Sequence, residues 1–387
     1  MRTYVVSALT VAATCLLLVA MVVQQPVLFY MATTFILLLF AGRVQASLAL
    51  RGLSVRRWCP AEATVGDTVA VRFEVTNRSR LVAPWLLLEE RYGSTDWMRD
   101  VIPPPPFCPP AQGSTEIEYS FVPIRRGRYA PNDICVYAGD SLGISWRERS
   151  FEAPNDTLLV LPKPEPVPLD LRAVAGWSSE DSEAGLAEGG GIEPRGVREL
   201  RSGDSLRHVH WRSSARHRTL LVKQFEAGGL SDMTILCDTH VPPGSRGADA
   251  SLEHAIRNAA FVARELLAVG AAVRLAGQGI TGACTEMRRG KRHYRRILEA
   301  LGGIEPSGTD LATYLQSERP DCGPDSAVYL FTADVDGAMS CVQRFGSARL
   351  TVYLYRRRGD RTDRADAIRR LGAVVIEVAP SSGEAAG

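Results

Sequence analysis

Two aspartates and a histidine follow apolar runs that are typical of buried strands. Asp238 and His240 come directly after the run 233–237, and Asp334 comes shortly after the run 327–331. The carboxyl ends of parallel strands meet at one edge of a sheet, where ligands usually bind. Carboxylates and an imidazole at such an edge can transfer protons or bind a metal ion. One hypothesis is therefore a metal-dependent or hydrolytic enzyme that uses Asp238, His240 and Asp334.

The segment Gly139-Asp-Ser-Leu-Gly143 matches the G-x-S-x-G pattern of hydrolase nucleophiles. A nucleophile elbow needs a strand before the serine and a helix after it. The residues that follow, 144–151, resemble another strand, so we interpret the segment as a β-turn and reject Ser141 as a nucleophile.

His208, His210 and His217 are three of the six histidines in the chain. His208 and His210 would share one face of a strand. No cysteine lies nearby, and the positive charges of Arg207 and Arg212 oppose a metal cation. We therefore predict hydrogen-bonded structural histidines rather than a metal site.

Residues 288–296 form a basic run, Arg-Arg-Gly-Lys-Arg-His-Tyr-Arg-Arg. A solvated helix face is the simplest interpretation. A second is contact with anionic lipid, since each base near a cytoplasmic leaflet gains about 1 kcal/mol. A third is nucleic-acid binding, which is disfavoured by the formal net charge of +2 and by the acids within 180–188.

Composition and missing motifs exclude three classes of protein. The chain has 45 lysines and arginines against 43 aspartates and glutamates, so it lacks the basic excess of a dedicated nucleic-acid binder. It contains no G-x-x-x-x-G-K-[ST] phosphate loop and no H-E-x-x-H zinc motif. Any ATP hydrolysis linked to this chain therefore belongs to another protein.

The residues near 238 and 334 need a sheet to bring them together. Between 231 and 380 apolar strands alternate with helices, the clearest being 251–269, whose apolar residues recur at helical spacing. Repeated β-α-β units predict an α/β domain with a doubly wound parallel sheet. We predict strands at 233–237, 272–275, 327–331, 350–354 and 374–378, and helices at 251–269, 294–301, 311–316, 337–345 and 365–371.

Residues 51–162 are typical of a small β-sandwich-like module, because short runs alternate with period two and stop at turn residues. We predict its strands at 68–76, 86–89, 116–122, 134–137 and 158–161. Residues 163–192 then predict a Pro-rich and acidic linker. Its prolines favour an extended spacer, and residues 178–191 contain four acids and no base.

The N-terminal 50 residues predict a transmembrane hairpin. Residues 3–42 contain no Asp, Glu, Lys or Arg, and Gln24-Gln25-Pro26 divides them into spans at 4–23 and 27–43. Basic residues flank the pair on one side, at Arg2 and from Arg43 onward. The positive-inside rule then predicts a multi-pass protein of the inner (cytoplasmic) membrane, with both ends and the soluble domains in the cytoplasm.

A signal peptide ending near Val23 is the alternative to the hairpin. The single Arg2 of its n-region and the lack of a convincing A-x-A site before Gln24 argue against it. The eight cysteines are scattered singly, which favours reduced thiols over a disulfide framework or a zinc site.

A charged signature segment, residues 193–230, precedes the α/β domain. Its charged, aromatic and small residues include Arg198, Glu199, Gly203, Asp204, Arg207, His210, Trp211, Ser214, Arg216, Lys223 and Glu226. The order of these signature residues resembles the signature of the domain of unknown function 58 family. Upstream, Arg125-Arg-Gly-Arg-Tyr129 and Asp140-Ser-Leu-Gly143 are similar to two further elements of that family, while Leu200 replaces a common aromatic.

The resemblance implies a membrane-anchored protein whose α/β domain is von Willebrand factor A-like. It also implies association with a MoxR-type AAA+ ATPase and with a transglutaminase-like protein, as a partner or adaptor rather than as an enzyme. No catalytic residue is carried over from the family.

Von Willebrand factor A domains bind a divalent metal through D-x-S-x-S, together with a distant Thr and Asp. Here Asp238 is present, but His240 and Pro242 replace both serines. Thr309 and Asp334 stand where the remaining ligands would fall. Hard cations need carboxylate and hydroxyl oxygens, so we expect the fold without the metal and keep a weak Mg²⁺ site at Asp238, Thr309 and Asp334 as the alternative.

We expect part of the signature segment to form a buried or partly buried charged network around an aromatic anchor, so that Asp204→Ala or Trp211→Ala lowers the melting temperature. Loss of partner binding without loss of stability would instead make the segment an interface. The network comprises Arg198, Glu199, Asp204, Arg207, Trp211 and Arg216.

The sequence thus predicts a non-enzymatic, membrane-anchored adaptor or scaffold that serves the assembly or maturation of a membrane or envelope system with a MoxR-type ATPase. The enzyme hypothesis with Asp238, His240 and Asp334 is the alternative. Lipid or nucleic-acid binding through residues 288–296 is the third.

Overall fold

The computed structural model divides the chain into two compact units, Met1–Leu161 and Pro162–Gly387. The first contains two apolar helices and a β module, and the second contains the signature segment and an α/β domain. The structure describes residues 2–153, 156–169, 194–199, 209–217, 219–225, 232–241, 248–282, 284–318, 326–346, 350–355 and 363–378.

Two helices, α1 (Arg2–Val23) and α2 (Pro26–Ala49), begin the first unit and pack against each other. The chain turns at Gln24, whose φ of 53° is left-handed, and α2 starts at Pro26. The predicted break at 24–26 is therefore confirmed. Among the described residues one helix, Pro26–Ala49, is long and apolar enough to cross a membrane, and the apolar stretch Ser7–Val23 of α1 is shorter.

Small side chains are buried along both helices at seven-residue spacing. They are Ala13 and Ala20 in α1, and Ala32 and Ala46 in α2, with Leu39 between them. A seven-residue repeat keeps one face of a helix towards its neighbour. Small residues on that face let helix backbones approach closely, as is common where helices pack in lipid.

The β module consists of three sheets. Their strand orders are β1-β3-β6-β5, β2-β10-β7 and β4-β8-β9. Strand β3 alternates between buried and exposed residues, and its Phe73 lies in one core with Leu86, Phe121 and Ile134. The strands are β1 (Leu53–Trp58), β2 (Glu62–Thr64), β3 (Val69–Asn77), β4 (Trp85–Arg91), β5 (Met98–Ile102), β6 (Gly113–Pro123), β7 (Gly127–Tyr129), β8 (Asp133–Gly139), β9 (Trp146–Glu152) and β10 (Leu158–Leu161).

In the second unit the signature segment forms an antiparallel pair, β11 (Pro194–Glu199) with β12 (Leu221–Phe225), and the short helix α3 (Trp211–His217) precedes β12.

The α/β domain contains a parallel sheet with the order β14-β13-β15-β16-β17. Apolar clusters cover both faces of this sheet, and every residue of β13 is buried, as expected for a sheet between helices. The elements are β13 (Met233–Cys237), α4 (Ala248–Ala268), β14 (Val273–Gly277), α5 (Lys291–Gly303), α6 (Leu311–Ser317), β15 (Ala327–Thr332), α7 (Val335–Phe345), β16 (Leu350–Tyr355), α8 (Asp363–Arg370) and β17 (Val374–Val378).

The described part of the predicted linker, residues 163–169, packs on this domain. The Glu165 carboxylate lies 3.4 Å from His254 Nε2 and forms an ion pair with Arg257 (3.3 Å), both in α4. Val167 is buried in the core, and Tyr353 donates a hydrogen bond to the Pro168 carbonyl (2.9 Å). The prolines therefore do not form a free spacer here. The carboxylate and the valine hold the extended backbone against α4 and β16.

Candidate functional site

The strongest candidate site lies where the strand order of the parallel sheet reverses. From β13 the chain goes to one neighbour, β14, and then returns to the other, β15, so the carboxyl ends of β13 and β15 flank a topological switch point. Ligands of open α/β sheets usually bind at such a crevice. Asp238 follows β13 at this point and is 7% exposed.

Three protein donors hold the Asp238 carboxylate. The Gln278 side-chain amide (2.9 Å) and the His240 backbone amide (3.1 Å) donate to Oδ1, and the Thr332 hydroxyl donates to Oδ2 (2.6 Å). Gln278 can reach Asp238 because the preceding Gly277 passes close to the end of β13. A Cβ at position 277 would stand 2.2 Å from the Cys237 carbonyl oxygen, and the backbone of Gly277 has a φ of +152°, so both features require glycine here.

Asp334 and Thr309 make other contacts than the alternative Mg²⁺ site would require. The Asp334 carboxylate accepts hydrogen bonds from the amides of Asp336 (3.1 Å) and Gly337 (3.0 Å), so it caps α7. Thr309 accepts a weak hydrogen bond from Gln278 through its backbone carbonyl (3.4 Å), not through its hydroxyl. The hydroxyl that does reach Asp238 belongs to Thr332, which sequence reasoning missed together with Gln278.

Burial is the main cause that raises the pKa of Asp238 above its ordinary value, and the nearby charge of Asp334 adds to it. The hydrogen bonds from Thr332, Gln278 and His240 act in the opposite direction. Nearby, the hydrogen bond from Thr313 lowers the pKa of Asp310, the cap of α6, and the charge of His240 contributes.

The geometry limits the chemistry of these residues. Three of the four lone pairs of the Asp238 carboxylate already accept hydrogen bonds, two on Oδ1 and one on Oδ2, and the Asp334 carboxylate accepts from two amides at the start of α7. No group of three or more His, Cys, Asp or Glu in the described residues is placed to hold a metal ion. His240 has a buried Nδ1 that no described group contacts through a hydrogen bond.

The signature segment differs from the predicted network. Trp211 is 65% exposed, so the prediction of a buried aromatic anchor is wrong, and Glu199 and Arg216 are also exposed. The indole lies outside the core because it occupies the solvent side of the first turn of α3. The described residues do not include Gly203, Asp204, Arg207, His208 or Glu226. They also do not include the side chains of Arg198 and Lys223.

His210 and Ser214 are structural within this segment. The His210 ring Nδ1 accepts a hydrogen bond from the Ser213 amide at the start of α3 (3.1 Å). Buried Ser214 accepts from the Leu221 amide (2.9 Å) and donates to the His210 carbonyl (3.0 Å), which ties α3 to β12. The interpretation of His210 as a hydrogen-bonded structural histidine is confirmed.

The basic run 288–296 leads into α5 and leaves several of its bases exposed. Arg288 pairs with Glu286 (2.7 Å) and Arg295 with Glu299 (3.1 Å). His293 does not belong to this surface, because it is buried and its Nε2 donates to the Val273 carbonyl (2.7 Å). Burial and the charges of neighbouring arginines lower the pKa of His293.

A second candidate site joins the G-x-S-x-G turn to α2. The turn connects β8 to β9, as predicted, with a hydrogen bond from the Asp140 amide to the Ser145 carbonyl (3.0 Å). The Gln45 side chain donates to the Ser141 hydroxyl (2.8 Å) and accepts from the Ser141 amide (3.2 Å). Beside it a Cβ on Gly42 would be 2.3 Å from the Asp140 carboxylate, so glycine is required for this close approach.

Gly42→Leu is therefore expected to push the turn away from α2. We expect the Ser141 amide to exchange its hydrogen at least about tenfold faster, since lost contacts of this kind cost about 1–3 kcal/mol. Hydrogen exchange with mass spectrometry on the detergent-solubilised protein measures this. Gly93→Leu is the matched control, because a Cβ at Gly93 meets nothing within 4 Å; unchanged protection of Ser141 in Gly42→Leu would contradict the assignment.

The chain is similar to proteins of diverse description. Over 244 residues it is 23% identical to the uncharacterized protein YeaD of Bacillus subtilis (strain 168), and the match covers 62% of this chain and 59% of YeaD. PapD-like domain 7 of human CEP192 is 15% identical, with a TM-score of 0.19, over 28% of this chain and 83% of that domain. The cupredoxin domain of amoB from Nitrosocaldus yellowstonii is 12% identical, with a TM-score of 0.20, over 34% and 96%. Residues 196–349 match the family described as "Protein of unknown function DUF58".

Proposed function

We propose that this protein is a non-enzymatic, membrane-anchored adaptor or scaffold. The observation that supports this best is the hydrogen bonding of the two carboxylates at the switch point between β13 and β15, where a substrate would be expected. Its central carboxylate, Asp238, is enclosed by three protein donors, and the second one, Asp334, caps a helix. Carboxylates that accept hydrogen bonds from their own loops stabilise those loops at the edge of the sheet. An edge with stable loops suits the binding of another protein.

The proposed anchor is a hairpin in which α1 and α2 both cross the inner membrane. Arg2 and Arg43 would then lie on the cytoplasmic side. The contact of Gln45 with Ser141 joins the β module to the same end of α2, so the module would stand at the cytoplasmic surface. A cysteine introduced at Glu116 of β6 should resist a membrane-impermeant thiol reagent in intact cells; rapid labelling would reject this orientation.

The proposed partner is a MoxR-type AAA+ ATPase that acts with this protein in the assembly or maturation of a membrane or envelope system, together with a transglutaminase-like protein. The resemblance of the signature segment and the matched residues 196–349 support this proposal, as does a von Willebrand factor A-like interpretation of the parallel sheet. Trp211 offers a large exposed aromatic within that segment, and tryptophan is the residue type most enriched at the centres of protein interfaces.

Trp211→Ala is expected to leave the melting temperature unchanged and to remove most of the bound ATPase. Truncating a tryptophan hot spot costs about 2 kcal/mol or more, a loss of roughly thirtyfold in affinity. Affinity purification of the detergent-solubilised protein, with mass spectrometry of the proteins that co-elute, measures the recovery. Trp58→Ala is the matched control, because Trp58 is 51% exposed in the β module; equal recovery with both variants would reject Trp211 as a contact.

A further inference from the structure

The β module contains a cleft between the edges of two sheets. Its volume is about 750 Å³, which falls within the range of ligand sites. Strand β4 ends the sheet β4-β8-β9 on one side, and β5 ends the sheet β1-β3-β6-β5 on the other. Residues of β4, β5 and the proline run after β5 line the cleft, notably Leu88, Glu89, Met98, Val101, Pro103 and Pro104.

The outer edge of β4, opposite its partner β8, has no paired strand along this cleft in the described part of the chain. On its outer edge Leu86 exchanges hydrogen bonds with Phe107, from amide to carbonyl at 2.9 Å and 3.0 Å. Because the direction of backbone groups alternates along a strand, the amides and carbonyls of Leu88 and Glu90 point to the same edge. No strand pairs with them there in the described part of the chain.

A run of prolines keeps this edge open. Continuing the antiparallel register from Leu86 and Phe107 would place Pro105 opposite Leu88 and Pro103 opposite Glu90. Proline has no N–H, so this segment cannot donate to β4 and extend the bridge into a ladder. The free donors and acceptors of β4 therefore remain available to another extended chain, as in strand addition to a sheet edge.

Among the polar side chains that line the cleft, Glu89, Tyr92 and Tyr119 supply acceptors, while Thr95 and Tyr137 have hydroxyls that can also donate. Tyr92 (2.8 Å) and Tyr119 both donate their hydroxyl hydrogens to Glu90 Oε2, so their oxygens can only accept further hydrogen bonds. Glu90 also pairs with Arg57 behind the cleft wall. Glu89 is exposed and forms no ion pair within the described residues. Such a lining favours a ligand that donates hydrogen bonds and carries positive charge.

We propose that an extended, basic segment of a partner polypeptide binds in this cleft as an added strand on β4. Its backbone pairs with Leu88 and Glu90, its apolar side chains pack on Met98, Val101 and the prolines, and a lysine or arginine contacts Glu89. This surface lies on the β module and is independent of the proposed ATPase contact at Trp211.

The test uses the detergent-solubilised full chain and the peptide carboxyfluorescein-Arg-Val-Arg-Val-Arg-Val-amide, labelled at its N-terminus, in fluorescence anisotropy. We expect saturable binding below about 1 mM. Glu89→Lys should weaken it about tenfold or more, since it removes an opposite charge and adds a like one. Glu116→Lys is the matched control, because Glu116 is an exposed glutamate of β6 that does not line the cleft, and it should leave the affinity unchanged.

The peptide controls separate strand addition from charge attraction. N-methylation of alternate amides, placed in turn in both registers, removes the donors that would pair with β4 and should weaken binding at least about tenfold in one register only. The proposal fails if no binding occurs below about 1 mM, if both methylated peptides bind like the parent, or if Glu89→Lys has no effect. It also fails if sedimentation shows a dimer that Glu89→Lys dissociates, since the occupant is then a second copy.

Discussion

Glu90→Ala is expected to lower the free energy of unfolding of the β module by about 3–5 kcal/mol. The side chains of Arg57 and Glu90 are 1% and 2% exposed and form an ion pair inside the module. Tyr92 and Tyr119 donate to the same carboxylate, and Arg57 Nη1 has no described partner. Removing Glu90 therefore leaves a buried guanidinium without its counter-charge and two hydroxyls without their acceptor.

Thermal unfolding of the solubilised protein, combined with hydrogen exchange of β3 and β6, measures this loss. The double variant Arg57→Met/Glu90→Leu should recover most of the stability, because replacing both charges removes the unpaired one. Glu74→Ala is the control for an exposed pair, since the partner Arg56 is well exposed, and it should cost less than about 1 kcal/mol. Equal effects of Glu90→Ala and Glu74→Ala would show that the buried pair does not stabilise the module.

Asp238→Ala is expected to destabilise the α/β domain by about 3 kcal/mol, because it removes the buried acceptor of Gln278, Thr332 and the His240 amide and leaves the first two with only weaker acceptors, at 3.4 Å and 3.3 Å. Asp238→Asn should be close to wild type at neutral pH. The asparagine oxygen can still accept from Gln278 and His240, while its amide can donate to the Thr332 hydroxyl, which has the Asp334 carbonyl as another acceptor (3.3 Å). Chemical denaturation of the wild type, Asp238→Ala and Asp238→Asn, with hydrogen exchange of β13, measures the order of their free energies of unfolding.

The pH dependence of the free energy of unfolding distinguishes the effect of the Asp238 charge from the effect of its hydrogen-bonding geometry. Since the folded pKa lies above the unfolded value of about 4, the folded state binds the proton more tightly between the two values. This contribution to stability is therefore greatest at low pH and is lost as the pH rises through the folded pKa. Asp238→Asn should lack this contribution, so a wild-type and an asparagine profile of the same slope above pH 4 would contradict the raised pKa.

Local patterns in the sequence predicted the elements of the fold. The apolar runs that become β13 and β17 end at the predicted residues, and the alternation within 68–76 becomes β3 (Val69–Asn77). Buried parallel strands require continuous apolar runs, and half-buried strands require alternation. The parallel sheet and the break at residues 24–26 could therefore be derived without the structure.

The partners of the functional side chains could not be derived in the same way. Gln278 and Thr332 lie far from Asp238 along the chain, and only the sheet order β14-β13-β15 brings them to its carboxylate. Trp211 was expected to be buried because aromatic residues usually anchor charged segments, but its position on α3 leaves it in solvent. The contact of Ser141 with Gln45 likewise depends on a glycine that has no special backbone angle to mark it.

Strand β10 closes the β module and also determines when that module can fold. It pairs with β2 near the beginning of the module and with β7 near its end, so one sheet requires both extremes of the sequence. Contacts between such distant residues form slowly, because a long loop must close before they stabilise the chain. During synthesis the helices α1 and α2 would leave the ribosome well before β10, and the edges of β2 and β7 stay open until Leu161 has emerged. The module thus completes its folding only after both apolar helices have been made.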